Sequence, residues 1–487
     1  MDSNPKITVV EVDAKNPDSA SSHHEQSIIS ATPKRTWRSY FWDTFDKSPE
    51  ERRFLFKLDA VLLTLGSLGY FIRFLDQVNI LSAFVSGMKE DLKLEGNQLN
   101  YITTAWTVGY VLGEIPSNII ITKVRPSIWI PFLEVVWSVL TIFLAKCETL
   151  TQLIVLRFFI GLAESGFYPG MQYVIGSWYR KDELGKRSCI FQSSASIGAM
   201  FSGYLTAAVY TLEGKNGYHG WQWLFIINTV ISLPIAITGF FIYPDTPEIT
   251  RAWWLTKEDV AMANKRMELE GRAKRGKYTK AKFRKIFSSW HIYALTLLYI
   301  FFNNGAGYGG QPAFSLWLKS EGYDIRAINL YPTLSGLVTI VATYVYAWGS
   351  DGFLKGARWP PIVFAGVVNI FTNISLAVWD IPVGLKWASF FLGTVTGGLS
   401  GIIYAWCSEI CSDDNEERAF VAAFMNDLSY IVQVWLPLIV WQQVESPKYH
   451  KGFVTTVFIS AGMIVMAFVI RFLYNREISR KRQPDAV

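Results

Sequence analysis

About twelve stretches of this chain stay apolar for close to the 20 residues that an α-helix needs to cross a ~30 Å hydrocarbon layer. That number of runs makes it an all-α, polytopic membrane protein. The composition agrees. Of 487 residues, 51% are hydrophobic and 18% are charged, fewer charges than a soluble chain of this length carries. The net charge of +6 does not point to nucleic acid, because the cations gather where a membrane topology puts them.

One run breaks the apolar rule. Leu153 to Trp178 contains RFFIGLAESGFYP, from Arg157 to Pro169, and holds Arg157 and Glu164 with no aqueous flank. Seven residues at ~1.5 Å rise place the two roughly 10 Å apart, two turns along nearly the same helix face. An ionisable group at membrane depth costs at least about 2.5 kcal/mol and is tolerated where it faces a bundle interior or a wet cavity. A functional site is the default reading; the plainer one is an ion pair that only holds helices together.

Along the chain, residues 1–53 form a polar tail ending in an interfacial segment around Trp37, Tyr40, Phe41 and Trp42. No secretory signal is read in the first 30 residues, which are polar. Helix 1, from about Phe54 to Ala83, carries Arg73, Asp76, Gln77 and Asn79, spaced so that Arg73 can touch Asp76 and Gln77 on one face. Helix 2 carries Glu114 just before Pro116, and helix 3 carries Glu134. Helix 5, from about Ser188 to Tyr210, is rich in small residues, which let helix backbones approach closely. Residues 244–289 are charged, hold about 12 of the 46 Lys and Arg, and open a helix at Thr256 with a reduced capping box to Asp259. Helix 7, from about Trp290 to Leu318, contains NNGAGYGGQP, with Asn303, Asn304, Tyr308 and Gln311 among four glycines. Broken backbone of this kind is tolerated at membrane depth where it is buried in protein or lines a cavity. Helix 11 adds Asn426, Asp427 and Gln433. Cys407 and Cys411 lie one helical turn apart, but no second pair or histidine cluster in the sequence completes a metal site, so neither metal nor cofactor is expected.

The segments Lys47 to Lys57, Lys280 to Lys285 and Arg471 to Arg482 are strongly basic, and the positive-inside rule makes them cytoplasmic. Twelve spans then leave both termini inside. A weak internal repeat supports two halves. KVRPSIWIP after helix 2 parallels GARWPPIV after helix 8, and RKDELGKRS after helix 4 parallels SDDNEERAF after helix 10. The expected organisation is 54–243 and 290–474 as two six-helix halves, 244–289 as the cytoplasmic linker and 475–487 as a cytoplasmic tail.

These residues resemble the major facilitator superfamily, and within it the anion:cation symporters. That group carries R-x-x-x-G-x-x-E followed by Y-P, matched here by Arg157, Gly161, Glu164, Tyr168 and Pro169. The resemblance implies that Arg157 binds a substrate anion and that Glu164 takes part in proton coupling. The helix 1 signature is usually D-R-x-N-I, whereas this chain reads Asp76, Gln77, Val78, Asn79, Ile80, so the usual cation is missing. Arg73, one turn earlier, can supply it. LDQVNI, AFVSGMKEDLKL, PDTPE and WLTKED look like the fungal allantoate-permease branch and its pantothenate transporters. The resemblance covers about Phe54 to Tyr474.

The function expected from this likeness is proton-coupled import of a small organic carboxylate, pantothenate first, at the plasma membrane. Arg157 and Arg73 would meet the carboxylate. Gln77, Asn79, Asn303, Asn304, Tyr308 and Gln311 would meet hydroxyls and the amide. Glu164, with Asp76 and Asp427, would carry protons. The partners are the anion, protons and the lipid bilayer, with no nucleic acid, and the chain is expected to work as a monomer. Nicotinate, biotin, allantoate or an amino-acid derivative are alternative substrates, and a non-transporting nutrient sensor is the alternative of a different class. An enzyme is not expected, since no nucleophile with a positioned base, metal-ligand spacing or phosphate loop is present.

Overall fold

The computed structural model describes residues 44, 47–121, 123–269, 280–307, 311–350, 354, 356–411 and 414–481. Two compact units are distinguished, Met1–Leu58 and Asp59–Val487. The first contains the helix Pro49–Leu58. The second carries α1 (Thr64–Ala83), α2 (Gln98–Ile120), α3 (Pro126–Leu144), α4 (Leu150–Trp178), α5 (Lys181–Val209) and α6 (Gly220–Ile242). It continues with α7 (Trp290–Gly305), α8 (Ile325–Trp348), α9 (Trp359–Val378), α10 (Val383–Ile410), α11 (Asn415–Val440) and α12 (His450–Lys481).

The protein is an all-helical membrane protein. Among the described residues, 10 helices are long and apolar enough to cross a membrane, and the bent pair Lys280–Ser288 with α7 makes 11. The expected count of twelve differs by α2. This helix has 23 residues, enough length, but its polar side chains lower its apolar character. They are used inside the protein. The Asn100 Nδ2 donates to the Trp441 carbonyl at 2.8 Å, and the Asn100 Oδ1 accepts from the Gln443 N–H at 3.0 Å.

Packing repeats with an offset of six helices. The pairs α1·α5, α2·α4 and α3·α6 recur as α7·α11, α8·α10 and α9·α12. Contacts between the first six helices and the second six run through α2·α11 and α5·α8. Small residues make the closest approaches possible, as the sequence of α5 suggested. A Cβ on Gly198 would lie 2.3 Å from the Phe71 carbonyl oxygen of α1. Where α2 crosses α4, a Cβ on Gly109 would meet the Phe158 carbonyl oxygen at 2.1 Å, and one on Gly161 the Trp106 carbonyl oxygen at 2.1 Å.

Two breaks have sequence causes. The span α4 consists of Leu150–Glu164 and Phe167–Trp178. Pro169 falls in the first turn of the second piece, where its missing N–H costs nothing; inside one continuous helix its ring would press on the Ser165 carbonyl. The expectation of one helix from Trp290 to Leu318 is corrected. The α7 helix stops at Gly305, Gly307 adopts a φ of +106°, and a separate helix, Ala313–Ser320, follows. Glycine takes that backbone conformation readily, so the turn is built into the sequence. Between α6 and α7, the helix Lys257–Leu269 has the expected cap: the Thr256 N–H donates to Asp259 Oδ2 at 3.0 Å and the Asp259 N–H to Thr256 Oγ1 at 3.2 Å.

The α2–α4 crossing predicts a clear substitution contrast. Gly161→Val overpacks a backbone contact and is expected to cost at least about 1–3 kcal/mol. Gly401→Ala, on α10 with nothing within 4 Å, is expected to be harmless. Thermal unfolding of the detergent-solubilised variants, followed by gel filtration, checks the difference.

Candidate functional site

The α2–α4 crossing sets the position of a buried charge cluster. Because Gly161 lets α4 ride against Trp106, the Trp106 Nε1–H reaches Glu164 Oε2 at 3.2 Å, and the Arg157 guanidinium lies 5.8 Å from the Trp106 ring. Arg73 enters from α1, with its Nε 3.6 Å from the same Glu164 Oε2. Its guanidinium faces Tyr110 at 5.0 Å, Phe74 at 5.6 Å and Tyr70 at 5.8 Å. Arg73 and Arg157 are each 2% exposed, Asp76 is 3% exposed and Glu164 is fully buried. Four charges therefore share one interior region, two of each sign.

The pairing differs from the simplest reading of helix 1. Arg73 was expected to touch Asp76 and Gln77 on its own helix. Instead Arg73 turns to α4 and pairs with Glu164, while Asp76 accepts a hydrogen bond from the Asn228 side chain of α6. The physical reason is the stronger partner across the bundle: a carboxylate fixed by Trp106 attracts the guanidinium in a region with little water to screen it. Among the described residues, no carboxylate lies within 4 Å of the Arg157 side chain.

Most buried polar atoms in native proteins are hydrogen-bonded. This region departs from that rule repeatedly. The Arg157 Nε, Glu164 Oε1, Asp76 Oδ2, Gln77 Oε1 and Asn79 Nδ2 are buried without a hydrogen-bond partner. A concentration of unsatisfied donors and acceptors beside two guanidinium groups can hold a polar anion.

The remaining expected residues are more dispersed. Asn79 Oδ1 accepts from Ser202 Oγ of α5 at 2.7 Å. Asn303 has a buried Nδ2 without a partner, while Asn304 Nδ2 donates to the carbonyls of Ile300 at 3.0 Å and Ser429 at 3.3 Å, tying α7 to α11. Gln311 Oε1 accepts from the Tyr449 hydroxyl at 3.2 Å, and its Nε2 has no partner. Tyr308 lies outside the described residues. Asp427 is half-buried on α11 and stands beside Glu114 of α2. Glu114 Oε1 in turn accepts from Asn426 Nδ2 at 2.8 Å, so this acidic pair sits on the α2·α11 contact.

Sequence reasoning missed Trp106, Asn228 and a set of tyrosines. Tyr110 of α2 and Tyr430 of α11 are 4.8 Å apart by ring centroids, Tyr70 and Tyr168 are 5.5 Å apart, and Tyr299 and Tyr404 are 5.1 Å apart. Of these, Tyr110 and Tyr70 present their rings to the Arg73 guanidinium. A signal was available on α2, where Trp106, Tyr110 and Glu114 recur at four-residue spacing and define one face.

The two arginines are predicted to differ in stability effect. Arg73→Met strands the buried Glu164 carboxylate, and removing one partner of a buried pair costs about 3–5 kcal/mol. Arg157→Met strands no carboxylate within 4 Å, so its melting temperature should stay near that of the parent protein. Parallel melting curves of the two variants measure this.

A family model described as the Major Facilitator Superfamily matches residues 66–437. Among curated relatives, the pantothenate transporter liz1 of Schizosaccharomyces pombe is 32% identical over 89% of this chain and 84% of its own length. The MFS transporter PfmaC of Pestalotiopsis fici is 39% identical over 85% of this chain and 78% of its own. The pantothenate transporter FEN2 of Saccharomyces cerevisiae is 31% identical over 89% and 86%. Among solved structures, a D-xylose-proton symporter superposes with a TM-score of 0.63 at 14% identity, covering 85% of this chain and 97% of its own, and that likeness concerns the fold.

Proposed function

The chain belongs to the Major Facilitator Superfamily, and from that premise we propose that it imports a small organic carboxylate, pantothenate first, together with protons. As a member of that family it is a secondary transporter of the membrane and not an enzyme. The observation that carries the substrate reading is Arg157, a buried guanidinium with an unsatisfied Nε and no carboxylate within 4 Å. A planar fork of N–H donors suits a carboxylate better than a neutral sugar or a cation. The names of liz1 and FEN2 give pantothenate as the first compound to try, and the helix 1 segment LDQVNI and VSGMKEDL point the same way.

Pantothenate offers one carboxylate, two hydroxyls and an amide. In this reading Arg157 takes the carboxylate and Arg73 holds Glu164 beside it. The unsatisfied Gln77 Oε1, Asn79 Nδ2, Asn303 Nδ2 and Gln311 Nε2 take hydroxyl and amide groups, and Asn304 and Tyr308 are further candidates. Glu164 carries the proton. When it is ionised it competes with the substrate for the two arginines; when protonated it releases them. Asp76, and Asp427 with its neighbour Glu114, are further proton sites. The two six-helix halves, joined by 244–289 with both termini in the cytoplasm, then alternate access around a site near the midplane. The membrane is the plasma membrane and the working unit a monomer.

Labelled pantothenate uptake in fungal cells lacking their own carrier tests this, with and without a proton uncoupler. Uptake that the uncoupler stops and cold pantothenate competes is expected. Arg157→Ala should weaken substrate affinity by about 30-fold or more, since losing one partner of a buried charge pair costs at least about 2 kcal/mol. That variant should still reach the membrane; its disappearance from the membrane would assign Arg157 a structural role. Glu164→Gln should lose uphill accumulation while keeping exchange of labelled for unlabelled substrate. Equal loss of both removes Glu164 from the coupling step. Absent uptake by protein present at the surface discards pantothenate, and competition among biotin, nicotinate and allantoate then finds the anion.

A further inference from the structure

The ends of α7, α10 and α11 bring together three side chains that sequence spacing kept apart. His291 is the second residue of α7, and its N–H donates to the Ser289 Oγ cap at 3.1 Å. Cys411 closes α10, with its N–H on the Cys407 carbonyl at 2.9 Å. Glu417 lies in the first turn of α11, and its N–H donates to Asp414 Oδ1 at 3.1 Å. The ring nitrogen, thiol sulfur and carboxylate oxygen all lie within 4.8 Å of one another, and among the described residues this is the group of His, Cys, Asp and Glu that converges so. The side chains of His291 and Glu417 are 11% and 8% exposed, and Cys411 is 2% exposed.

From this geometry we propose that His291, Cys411 and Glu417 form a binding site for a divalent transition metal of the zinc class, separate from the charge cluster of α1 and α4. One imidazole nitrogen, one thiolate and one carboxylate oxygen are a ligand set that zinc accepts. A second observation supports it independently. Ligating histidines almost always donate their other ring N–H to a carboxylate, a backbone carbonyl or water, which fixes the ring and raises its basicity. Here His291 Nδ1 faces Glu417 Oε1 at 2.7 Å, while Nε2 faces Glu477 Oε2 of α12 at 2.9 Å. Glu477 is itself held by the Trp290 Nε1–H at 3.1 Å. The orienting carboxylate is thus in place behind the ring, with Nδ1 facing Glu417.

The charge balance also fits. With both ring nitrogens against carboxylates, the metal-free imidazole donates twice and is protonated. A metal at Nδ1 displaces that proton, and the Cys411 thiol loses a second one. The thiolate and Glu417 then neutralise the dication, while Glu477 keeps the Nε2–H. Nearby, Asp414 pairs with Lys282 at 3.1 Å and with Lys285 at 3.6 Å. Binding therefore releases two protons, and affinity rises with pH. A bound ion would join α7, α10 and α11 directly and α12 through Glu477, and would stabilise the folded chain by mass action.

The test uses the full-length protein purified in detergent, stripped with a chelator and titrated with Co²⁺ as an optical probe. One Co²⁺ per chain is expected, with a thiolate-to-cobalt absorption band that Zn²⁺ displaces and a raised melting temperature. Cys411→Ser should abolish the band, Glu417→Gln should weaken Co²⁺ binding at least about 10-fold, and Glu477→Gln by about 10- to 100-fold through the orienting carboxylate. No stoichiometric Co²⁺ binding, or a thiolate band that survives Cys411→Ser, overturns the proposal. If Cys411→Ser does not run as a folded monodisperse species, Glu417→Gln, nearly identical in shape, decides: unchanged Co²⁺ affinity there overturns it equally.

Discussion

The Glu164 carboxylate is the interaction on which the rest of this structure depends. It is fully buried, it accepts the Trp106 Nε1–H at 3.2 Å, and it lies 3.6 Å from the Arg73 Nε. An ion at this depth is retained only if partners surround it. Those partners come from α1 and α2, so both must approach α4 closely enough to share it. Gly109 and Gly161 permit that approach by letting α2 and α4 meet backbone to backbone. Through the same contact Arg157 reaches the Trp106 ring without gaining a carboxylate of its own. Arg73 is ion-paired with Glu164, yet its Nε and one terminal nitrogen, like the Arg157 Nε, are buried without a hydrogen-bond partner, and the chemistry proposed for the site follows from these open donors.

The contact between the first six and second six helices carries polar groups where a purely structural seam would be apolar. At one end of the α2·α11 contact the Gln443 N–H donates to Asn100 Oδ1, the Leu99 N–H donates to Gln443 Oε1, and Asn100 Nδ2 donates to the Trp441 carbonyl. Further along, Glu114 accepts from Asn426 with Asp427 beside it, and Tyr110 meets Tyr430. Hydrogen bonds of this kind can be exchanged for water without the large loss that separating a packed apolar face would bring. An interface built this way can open and close, as alternating access requires.

Much of this was legible in the sequence. The apolar runs gave the spans, the small residues of α5 gave its close approach to α1, and Thr256 with Asp259 gave the cap of the Lys257–Leu269 helix. Arg157 and Glu164 declared themselves by standing alone in an apolar run. Partner choice was not legible. Spacing along α1 allowed Arg73 to reach Asp76, but tertiary packing offered Arg73 the Glu164 carboxylate and gave Asp76 to Asn228. The polar residues of α2 make it the least apolar of the expected spans for the reason that makes it useful, since Asn100, Thr107 and Glu114 are buried inside the protein. His291, Cys411 and Glu417 are far apart or differently spaced in the chain, and only the repeated packing of α7 against α11 beside the end of α10 unites them.

The central claim is that Arg157 is a cation held in readiness for a substrate carboxylate. The most direct measurement is calorimetric binding to the purified protein of pantothenate and of the alcohol in which a hydroxymethyl group replaces its carboxylate. The parent protein should strongly prefer the acid, and Arg157→Gln should erase the preference while leaving the weak binding of the alcohol in place. Equal binding of acid and alcohol by the parent protein, or a preference that persists without Arg157, would contradict it.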